Sequence, residues 1–151
     1  MQLKFSVAAR VAKPVTEVFE AVVNPAQLSR YFTTGGAKGR LETGATVTWD
    51  FADFPGAFPV QVVEVETNRK IVLKWAADDA DVPGGYNTTV TMTFESLDDG
   101  RTLVRIAEEG WHETPGGLKA SYVNCQGWSQ MLCALKAYLE HGINLRDGMY
   151  K

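Results

Sequence analysis

The chain has 151 residues, of which 45% are hydrophobic and 22% charged, a size and mixture that fit one globular domain and exclude a disordered chain. Its net charge of −3 argues against nucleic-acid binding, because that function depends on clustered lysine and arginine. No apolar stretch is long enough to span a membrane, and the N-terminus lacks the pattern of a signal peptide. We therefore expect a cytoplasmic protein with a single domain over residues 1–151.

The N-terminal part of the sequence predicts one strand followed by two short helices. Apolar residues alternate over 3–11, as they do in a half-buried strand. Pro14 stands where a helix would begin, since proline is tolerated in the first turn. Asn24 and Pro25 are typical of a second helix start, and Gly35-Gly36 would end that helix.

Six further strands follow in three pairs joined by turns. They are predicted at Lys38–Leu41, Thr46–Ala52, Pro59–Glu66, Lys70–Ala76, Tyr86–Leu97 and Arg101–Gly110. The turn at 98–100, Asp-Asp-Gly, is the clearest hairpin signal. Along the fifth of these strands, valine, methionine and phenylalanine alternate with threonine, which predicts one dry face and one wet face and therefore an antiparallel sheet.

A different period begins near Leu118, where apolar residues recur every three or four positions up to Leu139. This spacing predicts one long amphipathic helix that closes at Gly142, with a kink or break expected at Gly127. The only two cysteines, 125 and 133, fall on this helix about 12 Å apart, too far for a disulfide, and we expect both to be buried thiols.

The order of elements, together with three segments, resembles the helix-grip fold of the START-like (SRPBCC) superfamily. The segments are 11–32, 63–75 and 127–140, and within the superfamily they are most similar to the family named after the activator of the heat-shock chaperone ATPase (AHSA-like). The resemblance implies an α+β fold in which a curved antiparallel sheet of six or seven strands wraps around the long C-terminal helix. It also implies a cavity between sheet and helix, which in this superfamily holds lipids, sterols, polyketides or other apolar molecules.

Aromatic and apolar residues supply the candidate wall of this cavity, because ligand pockets are concave and mostly apolar. We expect this wall to include Phe32, Trp49, Phe51, Trp75, Met92, Trp111, Trp128 and Leu132. The alternative is that some of these side chains form ordinary core.

Three polar candidates accompany the wall. Glu108 should point inward if Val104 and Ile106 do, and could contact a ligand hydroxyl or amine or act as a general acid or base. His112 follows the last strand, where it could move protons at the cavity mouth or simply be a solvated loop residue. Tyr122 on the long helix is a third candidate for a polar contact.

The sequence offers no zinc-ligand spacing, no hydrolase nucleophile motif and no phosphate loop, so we assign no catalytic residue, metal or cofactor. The acidic run 78–81 lacks the pattern of a calcium loop. We interpret it as a solvated connection that, with Pro83 to Gly85, could form a mobile flap over the cavity.

Three functions remain open from the sequence. The first is binding of a small hydrophobic or aromatic molecule in the cavity. The second is a co-chaperone-like interaction module, with a chaperone as its partner, as the family resemblance implies. The third is a cyclase-like or hydrolase-like enzyme that uses Glu108 and His112 in the same cavity. The sequence leaves the choice between a monomer and a homodimer open.

Overall fold

The chain forms three helices and seven strands, and the computed structural model describes all of residues 1–151. In chain order the elements are β1 (Leu3–Val11), α1 (Val15–Val23), α2 (Pro25–Leu28), β2 (Gly36–Lys38), β3 (Thr46–Phe51), β4 (Phe54–Glu66), β5 (Lys70–Ala76), β6 (Asn87–Ser96), β7 (Thr102–Trp111) and α3 (Pro115–His141). The strands make one antiparallel sheet in the order β1-β7-β6-β5-β4-β3-β2. The predicted fold, a curved sheet around a long C-terminal helix with two short helices after β1, is confirmed.

Alternation along the strands gives the sheet one dry face, which carries the core. On β6, Val90, Met92 and Phe94 are buried, and the threonines between them are half-buried, as predicted. Helix α3 crosses this dry face and packs mainly on β1 and β7. Its residues Leu132 and Leu135 join the buried cluster, so the interior of the protein lies between the sheet and α3. None of the helices combines the length and the hydropathy needed to cross a membrane.

Two of the predicted strands differ from the structure by more than one residue at an end. The predicted strand at Lys38–Leu41 is wrong, because β2 ends at Lys38 and the backbone N–H of Leu41 instead donates to the carbonyl of Val23. Strand β4 begins five residues earlier than predicted, at Phe54. This extension places Phe54 and Phe58 on a strand beside β3 rather than in a loop.

Helix α3 also corrects two predictions. It runs without a break through Gly127, whose position in the helix leaves open space where a side chain would be. The cysteines are free, as expected, but Cys125 is half-buried and Cys133 is exposed, so the prediction of two buried thiols is wrong. The helical repeat turns Cys133 away from its buried neighbours Leu132 and Ala134.

The acidic loop after β5 is docked on α3 rather than forming a solvated flap. Asp79 is buried and accepts hydrogen bonds from the hydroxyls of Tyr86 (2.7 Å) and Thr114 (2.8 Å), and Asp81 accepts one from the backbone N–H of Gly116 (2.7 Å). These carboxylates meet the N-terminus of α3, where negative charge is favoured. Burial alone would raise the pKa of Asp79, but the bonds from Tyr86, Thr114 and the N–H of Asp81 hold it below its usual value.

Two glycines of α3 give opposite expectations for substitution by alanine, because the backbone just before the helix approaches only one of them. A methyl group at Gly117 would lie 2.1 Å from the carbonyl oxygen of His112, whereas at Gly127 it would meet nothing within 4 Å. We expect Gly117→Ala to destabilise the protein by about 2–3 kcal/mol through overpacking. Gly127→Ala should stabilise it by about 0.5–1 kcal/mol, because alanine loses less conformational entropy in a helix. Urea unfolding of both variants measures this, and equal midpoints would contradict the packing described.

Candidate functional site

Glu108 is the centre of a buried hydrogen-bond network between the sheet and α3. Only 1% of its surface is exposed, because it lies on the dry face of β7 beside Val90 of β6. One carboxylate oxygen, Oε2, accepts from Trp75 Nε1 (2.9 Å) and Thr88 Oγ1 (2.6 Å). The other, Oε1, accepts from Trp128 Nε1 at 2.9 Å. The side-chain amide of Asn124 reaches both oxygens, at 3.2 and 3.1 Å.

This network joins three strands to the helix. Trp75 lies on β5 and Thr88 on β6, where the two residues face each other in register. Asn124 and Trp128 are four residues apart on α3 and therefore present their side chains on the same face. A carboxylate has about four lone-pair positions, and these donors occupy them. Glu108 is thus a buried polar group whose hydrogen-bonding positions are all filled. It also links α3 to the sheet.

An aromatic cluster surrounds this network. Trp128 stacks on Phe32 (5.5 Å between ring centroids) and packs against Trp75 (5.4 Å). Trp49 meets Phe32, Trp75 and Trp128 edge to face, at 5.6, 5.8 and 6.5 Å. Such contacts stabilise the cluster beyond simple burial. The indole N–H of Trp49 is buried without a hydrogen-bond partner, unlike those of Trp75 and Trp128.

A cleft opens on one side of this cluster, between α3, the β3–β4 hairpin and the end of β5. It has two adjoining parts of about 640 and 380 Å³ that share Phe51, Phe54, Trp75 and Asn124. The larger part extends to Phe58, and the smaller reaches Phe32 and Trp128. Both volumes fall within the range of small-molecule sites. Six aromatic side chains line the smaller part, and four line the larger part beside several polar residues.

Asn124 supplies a polar group in this wall. Its Nδ2 donates to Glu108, which can only accept when it is ionised, so the carboxylate fixes the orientation of the amide. The other amide atom, Oδ1, accepts no hydrogen bond within the protein, and the residue lines both parts of the cleft. The cleft therefore presents one oriented acceptor within an aromatic surface.

The C-terminal segment, residues 144–151, lies across the mouth of the smaller part. Arg146 is buried and forms a two-pronged ion pair with Asp53, with Nη2 2.8 Å from Oδ1. Tyr150 packs on Phe54 at 5.7 Å and also bonds to Gln130 on α3. Hydrogen bonds from Arg146 hold the pKa of Asp53 below its usual value, against the effect of burial.

We expect the ion pair, rather than the whole fold, to hold this segment in place. Arg146→Gln should raise amide hydrogen exchange over 146–151, while global stability falls by only about 1 kcal/mol because Asp53 regains water when the segment leaves. A control, Asp147→Asn, changes an exposed neighbour and should keep the protection. Loss of global stability by about 3 kcal/mol or more would contradict a locally held segment.

Acidification should release the same segment in the wild type. The pKa of Asp53 is lower in the folded protein than in the unfolded chain, so its contribution is complete above the unfolded value of about 3.9. The contribution is then lost as the pH falls through the lower folded value. We expect exchange over 146–151 to be unchanged between pH 7 and 5 and to rise below about pH 4, once corrected for its intrinsic pH dependence. Release that begins near pH 6 would contradict this assignment.

The structure brings most of the predicted residues to one region. Phe32, Phe51, Trp75 and Trp128 line the cleft, and Glu108 lies directly behind Trp75 and Trp128. Three others lie deeper, in the packed core: Trp49, Met92 and Leu132 are buried and do not line either part of the cleft. The interior that the sequence predicted as one cavity is thus partly filled by side chains, with open space only at one end.

Three predicted residues lie elsewhere. Trp111 is turned by a bulge at Gly110 (φ 108°), stacks on Phe5 at 5.6 Å and keeps an unpaired N–H. His112 is exposed and stacks on Tyr86 at 3.8 Å, outside the cleft, so it cannot act with Glu108 as an acid–base pair. Tyr122 is 69% exposed on the outer face of α3.

Asn124 is the residue that sequence reasoning missed. Its distance of four positions from Trp128 places the two side chains about 40° apart around the helix, whereas Tyr122, six positions away, lies about 120° from Trp128. The helical period could therefore have selected Asn124 in place of Tyr122. No group of three or more His, Cys, Asp or Glu side chains is arranged to hold a metal ion.

The chain matches one protein family and resembles several solved structures. The family model described as "Activator of Hsp90 ATPase homolog 1-like protein" matches residues 12–140. No curated protein matches the sequence. Among solved structures, SSP2350 from Staphylococcus saprophyticus has 27% identity and a TM-score of 0.78, over 95% of this chain and 96% of that one.

Two further structures show the same fold at lower identity. Protein MLL2253 from Mesorhizobium loti has 20% identity and a TM-score of 0.78, over 93% of this chain and 98% of that one. The Aha1 dimer from Colwellia psychrerythraea, a solution structure, has 21% identity and a TM-score of 0.75, over 92% of this chain and 97% of that one.

Proposed function

We propose, from the premise that the chain belongs to the activator of Hsp90 ATPase homolog 1-like family, that it binds a small aromatic or hydrophobic molecule in the cleft beside α3. The ligand would lie against Phe51, Phe54, Trp75 and Trp128. It would place a hydroxyl or an amine within reach of Asn124 Oδ1.

The observation that carries this proposal is an oriented, unpaired acceptor inside an aromatic wall. Asn124 Oδ1 accepts no hydrogen bond from the protein and is not fully buried, so it is free to accept one from a ligand hydroxyl or amine in the cleft. Glu108 itself accepts bonds from four side chains. We therefore infer that it positions Asn124, Trp75 and Trp128 and does not act as a general acid or base.

Native mass spectrometry of the protein purified from its own host, beside a denatured sample, tests this function. We expect an additional bound mass that disappears on denaturation and that identifies the ligand class. A bare protein, together with no thermal shift in a library of lipids and aromatic molecules, would contradict the proposal. Asn124→Leu is the matched variant, because it removes the acceptor while leaving the cleft apolar.

A second candidate function is co-chaperone-like binding to an Hsp90-type chaperone, which the description of the matching family supports. Helix α3 also carries two exposed apolar residues outside the cleft, Leu118 and Tyr122, which a protein partner could cover. We expect this function, if present, to raise the ATPase rate of the chaperone and to depend on Tyr122. No change in that rate at saturating protein would remove this candidate.

A further inference from the structure

We infer that the ligand of this cleft carries a positive charge next to its aromatic or hydrophobic body. This inference deepens the proposed function and rests on it. The geometry behind it is the buried carboxylate of Glu108, which has no cationic partner. This carboxylate is separated from the cleft by a single layer of side chains, which includes Trp75 and Trp128.

Glu108 has neutral partners only. Trp75, Thr88, Asn124 and Trp128 donate five hydrogen bonds to it, and no lysine, arginine or histidine forms an ion pair with it. Neutral donors stabilise a negative charge without cancelling it. Since three of these donors also line the cleft, the field of the carboxylate reaches the ligand through a single layer of side chains with little water between.

The other charged groups of the cleft do not cancel this field. Arg146 is paired with Asp53 in a bidentate contact, so the two charges largely neutralise each other. Lys74 and Asp78 both line the larger part of the cleft and carry opposite charges. Both are exposed, so water and salt screen their charges. The remaining uncompensated charge of the buried site is that of Glu108.

The aromatic rings at the mouth already attract cations of the protein itself. The guanidinium of Arg146 lies 4.6 Å from the ring centre of Tyr150 and 5.4 Å from that of Phe51. The ammonium of Lys151 lies 4.7 Å from the ring centre of Phe54. Ring faces are negative and favour cations, most strongly where water is excluded. The rings of Trp75 and Trp128 border the smaller part of the cleft, and no cation of the protein lies over them.

A pair of molecules with the same shape and different charge separates this inference from ordinary hydrophobic binding. Trimethyl(phenyl)ammonium and tert-butylbenzene differ in one atom, nitrogen or carbon, and therefore in charge. We expect calorimetric titration of the wild-type protein to give at least a tenfold lower Kd for the cation. The preference should persist at 0.5 M salt, because a buried charge is screened much less than an exposed one.

Variants assign the preference to Glu108. In Glu108→Gln the ratio of the two Kd values should fall to near one, whereas Glu109→Gln, which removes an exposed charge on the opposite face of the same strand, should keep the wild-type ratio. If the Glu108 variant does not fold, the salt dependence of the wild-type ratio still decides whether a buried charge is responsible.

The outcomes distinguish failure of this inference from failure of the proposed function. Binding of neither molecule, and of no other aromatic compound, would overturn the function itself. Binding of tert-butylbenzene as tightly as the cation would overturn the inference alone and leave a neutral aromatic ligand. A preference for the cation that vanishes in salt would also overturn it, because a surface charge would then be the cause.

Discussion

Replacing Glu108 with alanine is expected to destabilise the protein by about 4 kcal/mol. The substitution removes one acceptor but leaves four donors without a partner, including the indole N–H groups of Trp75 and Trp128. Each unpaired buried donor costs about 1–3 kcal/mol, and relaxation of Asn124 towards water recovers part of that cost. Denaturant unfolding followed by tryptophan fluorescence measures the change.

The matched control is Glu109→Ala on the same strand. Glu109 is exposed, and surface substitutions of this kind change stability by about 0.5 kcal/mol or less. A Glu108→Ala variant as stable as this control would show that the network does not hold α3 on the sheet. The proposal that Glu108 positions Asn124, Trp75 and Trp128 would then also be wrong.

The second large effect concerns two buried tryptophans whose indole N–H groups differ in their pairing. Trp128 donates its indole N–H to Glu108, whereas the N–H of Trp111 has no partner. Substitution by phenylalanine removes the N–H and shrinks the ring in both cases. We expect Trp128→Phe to destabilise the protein by about 1.5–3 kcal/mol more than Trp111→Phe, because hydrogen bonds to charged groups are worth that amount.

Unfolding in guanidinium chloride, with each variant compared with the wild type, gives the difference directly. Circular dichroism is the better signal here, since both substitutions change the fluorescence. Equal destabilisation in the two variants would indicate that ring packing alone determines stability at both positions. In that case the bond between Trp128 and Glu108 would contribute nothing net.

The fold could be predicted from the sequence because its periods are strong. Alternation on β6 and the three-to-four spacing on α3 each repeat over ten or more residues, so they specify which faces meet. The inward direction of Glu108 followed from the same alternation, by extension from Val104 and Ile106. Local errors, such as the strand expected at Lys38–Leu41, arose where short elements lack a period.

The site was only partly predictable, because it depends on contacts between distant segments. Nothing local shows that Trp111 is turned by a bulge at Gly110 or that Asp79 docks on the start of α3. The ion pair of Asp53 with Arg146 joins residues 93 positions apart, and the sequence pattern carries no sign of it. Whether a cavity stays open depends on such packing, which explains why Trp49 and Met92 are core and not wall.

The most direct test of the binding site uses the indole N–H signals of the four tryptophans in a nitrogen-15 correlation spectrum. Titration with 2-naphthol, an aromatic molecule with one hydroxyl donor, should shift the signals of Trp75 and Trp128, which line the cleft. The signal of Trp111, which lies against Phe5 outside the cleft, should stay in place. Saturable shifts confined to Trp75 and Trp128 are the predicted result. A shift of Trp111 alone, or no shift at any tryptophan with either 2-naphthol or trimethyl(phenyl)ammonium, would contradict a ligand site beside α3.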